Sequence, residues 1–231
     1  MRIKTAIFEA VIFDMDGLIF DTESIYSMSW KEAAVEQGYY ISDDLYKSLL
    51  GLRTDEAYNK LISKFGNEFN SDLFHVRSNY YWYNYVKSGV PRKKGLNNVL
   101  DYLNNYKIPK AIATSSSREK SIFSLGEIAG QFDVIVCGED IQRGKPHPDI
   151  FLSAARQLDV IPCRCIVLED SPLGIYAAKR AGMIPIMVPD LIKPSGDTIQ
   201  KAFCICNSLQ DVVALFKLDH NKTFQVISGW G

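Results

Sequence analysis

Two aspartates follow an apolar run near the start of the chain. The segment reads Val11-Ile-Phe-Asp-Met-Asp-Gly-Leu-Ile19, so Asp14 and Asp16 stand at the end of a predicted buried strand. A carboxylate is costly to bury unless it is paired, bound to a metal or catalytic. Ligands of open α/β sheets bind just beyond the carboxyl ends of the strands, so this position predicts a reaction centre. The alternative is a turn in which an aspartate caps the next helix.

Three later segments carry the side chains that a phosphate and a hard cation need. They are Ile112-Ala-Thr-Ser-Ser-Ser117, Gly144-Lys-Pro-His-Pro-Asp149 and Cys165-Ile-Val-Leu-Glu-Asp-Ser-Pro172. The first and third are predicted strands that end in hydroxyls and in two carboxylates, and the second is a turn that holds one lysine between glycine and proline. Carboxylates are ligands for Mg²⁺, and hydroxyl and ammonium groups bind phosphate oxygens. The ordered set is more specific than any one segment.

These motifs resemble those of the haloacid dehalogenase-like hydrolase superfamily, and within it the β-phosphoglucomutase-like sugar-phosphate phosphatases. The motifs are Asp14-Met-Asp-Gly, Thr114, Gly-Lys145-Pro-His-Pro-Asp and Leu168-Glu-Asp-Ser-Pro-Leu-Gly-Ile-Tyr-Ala-Ala-Lys-Arg-Ala-Gly182, and the similarity runs from Ala10 to about Leu215. The resemblance implies an α/β fold: a Rossmann-like, doubly wound parallel sheet forms the core, and an α-helical cap domain is inserted into it.

The spacing of apolar residues agrees with that fold. Helices are predicted over 27–37, after Ser42, from Thr54 and over 72–85, without strand-like alternation between Glu23 and Val86. Farther along, helices over 96–106, 118–127, 148–158, 172–181 and 209–216 alternate with strands over 110–114, 134–137, 165–168 and 184–188. Repeated βα units predict a largely parallel sheet. We therefore expect a catalytic core over 1–22 and 89–231 and a helical cap over 23–88.

The resemblance implies a role for each carboxylate. Asp14 would be the nucleophile that forms an aspartyl-phosphate, and Asp16 would protonate the leaving group and then activate water. Mg²⁺ is the implied cofactor, bound by the side chains of Asp14 and Asp170 and by the backbone carbonyl of Asp16. Glu169 would be a further ligand or a neighbour of the ligands, with a purely structural role as the alternative.

Four other residues are candidates for binding the substrate. Thr114 and the backbone of Ser115 would donate hydrogen bonds to phosphoryl oxygens, and Lys145 would supply a positive charge to the phosphate and to Asp14. A solvated loop lysine is the alternative for Lys145. Arg53, in a cap segment similar to that of related hexose-phosphate phosphatases, would reach a substrate hydroxyl or a second phosphate, and a surface salt bridge is its alternative.

Composition narrows the class of partner. The 231-residue chain has a net charge of −1, and 47% of its residues are hydrophobic, so neither nucleic acid nor a membrane is an expected partner. No apolar run approaches the roughly 20 residues that span a bilayer. The five cysteines include pairs at 163/165 and 204/206, which we interpret as alternation within strands. We expect a cytoplasmic monomer that acts on a small phosphate ester.

Four functions compete on this scaffold. The first is a phosphatase of small phosphorylated metabolites, in particular sugar phosphates, and the second is a hexose-phosphate mutase. Related mutases carry a histidine four residues beyond the Asp-Thr pair that follows the first motif, and this chain has Tyr26 there. A dehalogenase would need neither Asp16 nor the Glu169-Asp170 pair. A non-catalytic binding module should have lost at least one of the motif residues, and all are present.

Overall fold

The computed structural model describes residues 8–49 and 54–221. The chain divides into two compact units. The first combines Met1–Phe20 with Arg92–Gly231, and the second is Asp21–Pro91. The chain therefore leaves the first unit at Phe20, a few residues after its first strand, and returns to it at Arg92.

The first unit is built on a six-stranded sheet in the order β3-β2-β1-β4-β5-β6, in which every neighbouring pair is parallel. The strands are β1 Ala10–Phe13, β2 Lys110–Ala113, β3 Val134–Val136, β4 Cys165–Glu169, β5 Ile184–Met187 and β6 Cys204–Ile205. The order reverses at β1, whose neighbours are β2 and β4. Ligands of such sheets bind at this switch point. Here the neighbouring strands β2, β1 and β4 all end next to polar residues, so these residues lie side by side at the switch point.

The described residues of the second unit form four α-helices. They are α1 Thr22–Val35, α2 Asp43–Lys47, α3 Thr54–Phe65 and α4 Ser71–Val86. The side chain of Asn70 accepts a hydrogen bond from the amide of Leu73 at 2.9 Å and so caps the start of α4. An aromatic core fills the unit, in which the rings of Trp30 and Phe74 lie 5.4 Å apart. Residues 21–49 and 54–91 therefore form a helical unit with a hydrophobic core of its own.

In the part of the chain that the structure describes, six α-helices belong to the unit that contains the sheet. They are α5 Leu96–Asn105, α6 Arg118–Leu125, α7 Asp149–Gln157, α8 Pro172–Arg180, α9 Gly196–Lys201 and α10 Leu209–Asn221. Ile12 of β1 belongs to a fully buried cluster with Phe151 of α7 and Ala177 of α8. Strands that are covered by helices need apolar residues on both faces, which explains the continuous apolar runs of β1 and β4. The arrangement confirms the predicted α/β fold.

The structure differs from the sequence prediction in several details, among them α1, which was predicted over 27–37 and spans Thr22–Val35. The short helix α9 was not predicted, because six residues are too few to show a period. The strand indicated by the 204/206 cysteine pair is present as β6, but it ends at Ile205, before Cys206. The helix predicted to reach residue 127 ends at Leu125, where a 3₁₀ helix begins. Cys163 lies in a 3₁₀ turn and not in a strand, so alternation within strands does not explain the 163/165 pair. All five cysteines are free thiols.

No helix in the described ranges combines the length and the apolar content that crossing a bilayer requires.

Candidate active site

Asp14 marks the point at which β1 ends and the chain becomes polar. The strand ends at Phe13, directly before Asp14 and three residues before Asp16, and the amide of Asp14 still donates to the carbonyl of Leu168 at 3.0 Å. The side chain of Asp14 is only 9% exposed. Burial raises the pKa of Asp14 to about 7: the charge of Lys145 opposes this shift, and those of Glu169 and Asp16 add to it. An ionised Asp14 therefore needs positive charge beside it.

Lys145 supplies part of that charge. Its Nζ donates to Oδ1 of Asp14 and, at 2.6 Å, to Oε1 of Glu169, and its side chain is 8% exposed. Burial lowers the pKa of Lys145, but the charges of Asp14 and Glu169 outweigh this effect and raise it above its ordinary value. The ammonium is thus a fixed cation between two carboxylates. Because Lys145 is buried, the alternative interpretation as a solvated loop lysine is wrong.

Glu169 is the last residue of β4. Lys145 contacts its Oε1, and the start of α8 binds its other oxygen, Oε2. Its Oε2 accepts hydrogen bonds from the amide of Ser171 at 2.7 Å and from the Ser171 hydroxyl at 2.9 Å. A Cβ on Gly174 would lie 1.7 Å from Oε1 of Glu169, so only glycine allows the first turn of α8 to pack this closely. Glu169 is therefore a fully buried carboxylate with a fixed orientation.

Asp14, Glu169 and Asp170 form an acidic cluster. Each offers a carboxylate oxygen, and the three oxygens lie within 4.8 Å of one another. Burial, and then the charges of Glu169 and Asp14, raise the pKa of Asp170 well above its ordinary value. Three carboxylates face one lysine, and hard oxygen donors with excess negative charge are the ligands that Mg²⁺ prefers. The donor set of this cluster therefore fits a divalent cation.

Asp16 points to a different set of partners. Its Oδ2 accepts hydrogen bonds from the hydroxyl of Ser116 at 2.7 Å and from that of Thr114 at 3.3 Å. The amide of Ser116 donates in turn to Oγ1 of Thr114 at 3.1 Å. The half-buried carboxylate of Asp16 is thus oriented by hydroxyls, whereas Asp14 is oriented by an ammonium. Two carboxylates two residues apart have different environments, as separate chemical roles require.

Most of the predicted site residues meet at the carboxyl ends of β1, β2 and β4. Hydrogen bonds join Lys145 to Asp14 and Glu169 in one set and Thr114 to Asp16 in another. Asp170 belongs with the first set through the acidic cluster. Ser115 has an exposed side chain, and its predicted role concerned only its backbone. Arg53 lies outside the described residues.

Sequence reasoning missed the two serines that support the carboxylates. Ser116, and not Ser115, turns its hydroxyl toward Asp16, and Ser171 holds Glu169. The signal for Ser171 was present, because serine before proline is a common helix start and its hydroxyl also accepts from the amide of Gly174 at 3.1 Å. The run of three serines at 115–117 did not indicate which of them faces the site.

The acidic cluster yields a direct prediction for metal binding. Asp170→Ala should raise the dissociation constant for Mg²⁺ by more than about tenfold, because even the loss of a neighbour of a metal ligand costs 10–100-fold. Titration calorimetry with Mg²⁺ measures this constant, and Asp197→Ala, which removes an aspartate from an exposed ion pair with Lys201, is the matched control. Equal constants in Asp170→Ala and the wild type would remove Asp170 from the metal site.

The chain is similar in sequence to known hydrolases and to a mutase. A sequence profile of haloacid dehalogenase-like hydrolases matches residues 11–188. A phosphorylated carbohydrates phosphatase of Thermotoga maritima is 30% identical over 177 residues, which are 76% of this chain and 82% of that protein. A β-phosphoglucomutase of Bacillus subtilis is 33% identical over 188 residues, which cover 78% of this chain and 83% of the relative.

A solved structure has the same fold. The crystal structure of β-phosphoglucomutase from Clostridium difficile superposes with a TM-score of 0.75 at 25% sequence identity. The superposition covers 93% of this chain and 98% of that one.

Proposed function

Since the chain belongs to the haloacid dehalogenase-like hydrolase family, we propose that it is a Mg²⁺-dependent phosphatase that hydrolyses small phosphorylated metabolites through an aspartyl-phosphate on Asp14. The enzyme class, a phosphoric monoester hydrolase, agrees with the phosphatase activity named for the Thermotoga maritima relative. The observation that carries the proposal is the buried contact of Lys145 with both Asp14 and Glu169, beside the carboxylate of Asp170. Sugar phosphates are the proposed substrate class, since that relative acts on phosphorylated carbohydrates.

The first step is attack by Asp14 on phosphorus. One carboxylate oxygen forms the new O–P bond while the bond from phosphorus to the sugar oxygen breaks. The phosphoryl group is anionic, so its approach to a carboxylate is repulsive unless cations offset the charge. Lys145 provides one such charge at Oδ1 of Asp14. A Mg²⁺ ion held by Asp14, Asp170 and the Asp16 carbonyl, with Glu169 beside it, would supply further positive charge at the phosphoryl oxygens.

Asp16 is the proposed acid and base. In the first step its protonated carboxyl gives a proton to the leaving sugar oxygen, and the carboxylate remains. In the second step that carboxylate takes a proton from the water that attacks the aspartyl-phosphate, which releases phosphate and restores Asp14. The hydroxyl of Ser116 keeps Oδ2 of Asp16 in place through both steps, whereas that of Thr114, which donates to Oδ2 without substrate, turns to the phosphoryl group when the substrate binds.

The phosphoryl oxygens need hydrogen-bond donors while the phosphoryl group is transferred. Thr114 and the backbone of Ser115, next to the end of β2, are the proposed donors, together with Lys145. Arg53 remains the proposed contact for a hydroxyl or second phosphate of the substrate. The monomeric state and the cytoplasmic location also stay predictions.

A mutase is the second candidate, because the Bacillus subtilis β-phosphoglucomutase is 33% identical to this chain. Related mutases carry a histidine at the position of Tyr26, which lies in α1 with its ring 6.0 Å from that of Trp82. A phenol has a reference pKa of about 10 and does not replace an imidazole near neutral pH. A mutase must also protect its aspartyl-phosphate from water, whereas hydrolysis needs only the carboxylate of Asp16.

One assay separates the two candidates. The protein is incubated with β-glucose 1-phosphate, Mg²⁺ and a catalytic amount of glucose 1,6-bisphosphate, and free phosphate and glucose 6-phosphate are followed together. We expect phosphate release from this ester, or from others in a panel of sugar phosphates, and loss of release in excess EDTA. Efficient formation of glucose 6-phosphate with negligible phosphate would establish the mutase instead. No phosphate from any ester in Mg²⁺ would contradict the proposed hydrolysis.

A further inference from the structure

An ion pair lies beside the acidic cluster and has no part in the mechanism above. Nζ of Lys93 lies 2.6 Å from Oδ1 of Asp190, and their side chains are 26% and 17% exposed. Asp190 follows β5, and Lys93 precedes α5, where its amide donates to the carbonyl of Ile19 at 2.8 Å. The pair therefore links two segments of the sheet-containing unit that are far apart along the chain.

Strand pairing brings Asp190 close to Asp170. In the β4–β5 ladder Glu169 is paired with Met187, and the amide of Val188 donates to the carbonyl of Glu169 at 2.7 Å. Residues that leave these two parallel strands emerge at the same edge of the sheet, next to the metal ligands. The negative charge of Asp190 accordingly contributes to the raised pKa of Asp170.

The two carboxylate oxygens of Asp190 differ. Oδ1 is paired with Lys93, whereas Oδ2 is buried and accepts no hydrogen bond from the residues that the structure describes. A buried acceptor without a donor costs about 1–3 kcal/mol, and more when it is charged. Water molecules that are bound to a cation are strong donors, and neighbours of metal ligands commonly accept hydrogen bonds in such sites.

We propose that Asp190 is a positioning residue of the metal site, whose Oδ2 accepts a hydrogen bond from a water ligand of the cation bound by Asp14 and Asp170. Lys93 holds Oδ1, so the carboxylate keeps a single orientation. Lys93 also offsets the fourth negative charge that Asp190 adds beside the acidic cluster. This inference rests on the metal site of the proposed function.

Substitution of Asp190 and substitution of Lys93 should have different effects on the dissociation constant for Mg²⁺. In Asp190→Asn the amide oxygen has to remain opposite Lys93, which only donates, so an NH₂ group replaces the acceptor at Oδ2. The dissociation constant for Mg²⁺, measured by titration calorimetry on the intact protein, should rise about tenfold or more. Lys93→Met loosens the carboxylate, but it keeps the acceptor and removes a positive charge near the cation. These two effects oppose each other, so its constant should change far less than that of Asp190→Asn.

The controls separate this proposal from a structural role and from the proposed function. Asp197→Asn makes the same change of charge in an exposed ion pair and should leave Mg²⁺ binding unchanged. If Asp190→Asn binds Mg²⁺ like the wild type, or if both members of the pair weaken binding equally, Asp190 is only part of a structural ion pair and the proposal is wrong. If the wild type itself binds no Mg²⁺, the proposed function fails first.

Discussion

Replacement of Asp14 by asparagine is expected to abolish phosphate release while the protein stays folded. An amide is nearly isosteric with a carboxylate, but it cannot attack phosphorus. The groups that would bind the phosphate remain, so kcat/KM should fall by more than about 10⁴-fold, as is typical when a nucleophile is removed. The measurement is release of inorganic phosphate from the best sugar phosphate of the panel. Asp14→Ala serves as a second variant, because alanine cannot revert to aspartate by deamidation.

The melting temperature is the folding control for this experiment, and the pKa of Asp14 predicts how it should change. Burial raises that pKa to about 7 in the folded protein, above its ordinary value, so the folded state binds the proton more tightly than the unfolded state does. Ionising Asp14 therefore costs stability as the pH rises, and the full cost applies above pH 7. Asparagine has no such cost. At pH 8 without Mg²⁺, the variant should melt at a temperature no lower than that of the wild type. Phosphatase activity that persists in both folded variants would exclude Asp14 as the nucleophile.

The polar residues at the carboxyl ends of the strands could be predicted from the sequence. Asp14, Thr114 and Glu169 each stand at the end of an apolar run, and parallel strands end at a common edge of the sheet. That rule alone brings residues from distant parts of the chain together. The motif resemblance then indicated the family, which the profile match over residues 11–188 confirms.

The motif resemblance implied that Lys145 lies near Asp14, but its burial and its contact with Glu169 could not be derived from the sequence. Its motif indicates a lysine on a constrained turn, but its burial and its contacts with Asp14 and Glu169 depend on how that turn packs against β1 and β4. The same reason explains the choice of Ser116 over Ser115. Three consecutive serines have equal hydrogen-bonding capacity, and only the backbone path after β2 turns one of them toward Asp16.

Asp190 shows the other limit of sequence reasoning. It stands in a loop after a predicted strand, where a charged residue is usual, and so carried no signal by itself. Its contact with Lys93 spans two segments whose pairing no local pattern encodes. A contact between two loops that are distant along the chain is thus found only after the fold is known.

Replacement of Asp16 by alanine should slow the enzyme in a way that depends on the leaving group. A sugar oxygen leaves as a strongly basic alkoxide and needs the proton of Asp16, so kcat/KM for sugar phosphates should fall by about 10²–10⁴-fold. The nitrophenolate of p-nitrophenyl phosphate leaves readily without a proton. For that ester kcat/KM, which reports the steps through formation of the aspartyl-phosphate, should fall much less.

The second role of Asp16 gives a further signature in the same variant. Water must still attack the aspartyl-phosphate, and without a base this step becomes slow. Rapid mixing of Asp16→Ala with p-nitrophenyl phosphate should therefore give a burst of about one nitrophenolate per enzyme, followed by a slow steady state.

Ser116→Ala is the matched control, because it removes the 2.7 Å hydrogen bond to Oδ2 but keeps the carboxylate. Its losses should be smaller than those of Asp16→Ala, and it should show no burst, since the base that activates water is still present. Equal losses of kcat/KM for sugar and nitrophenyl esters in Asp16→Ala, without a burst, would mean that Asp16 only positions the substrate. The proton transfers would then belong to another group.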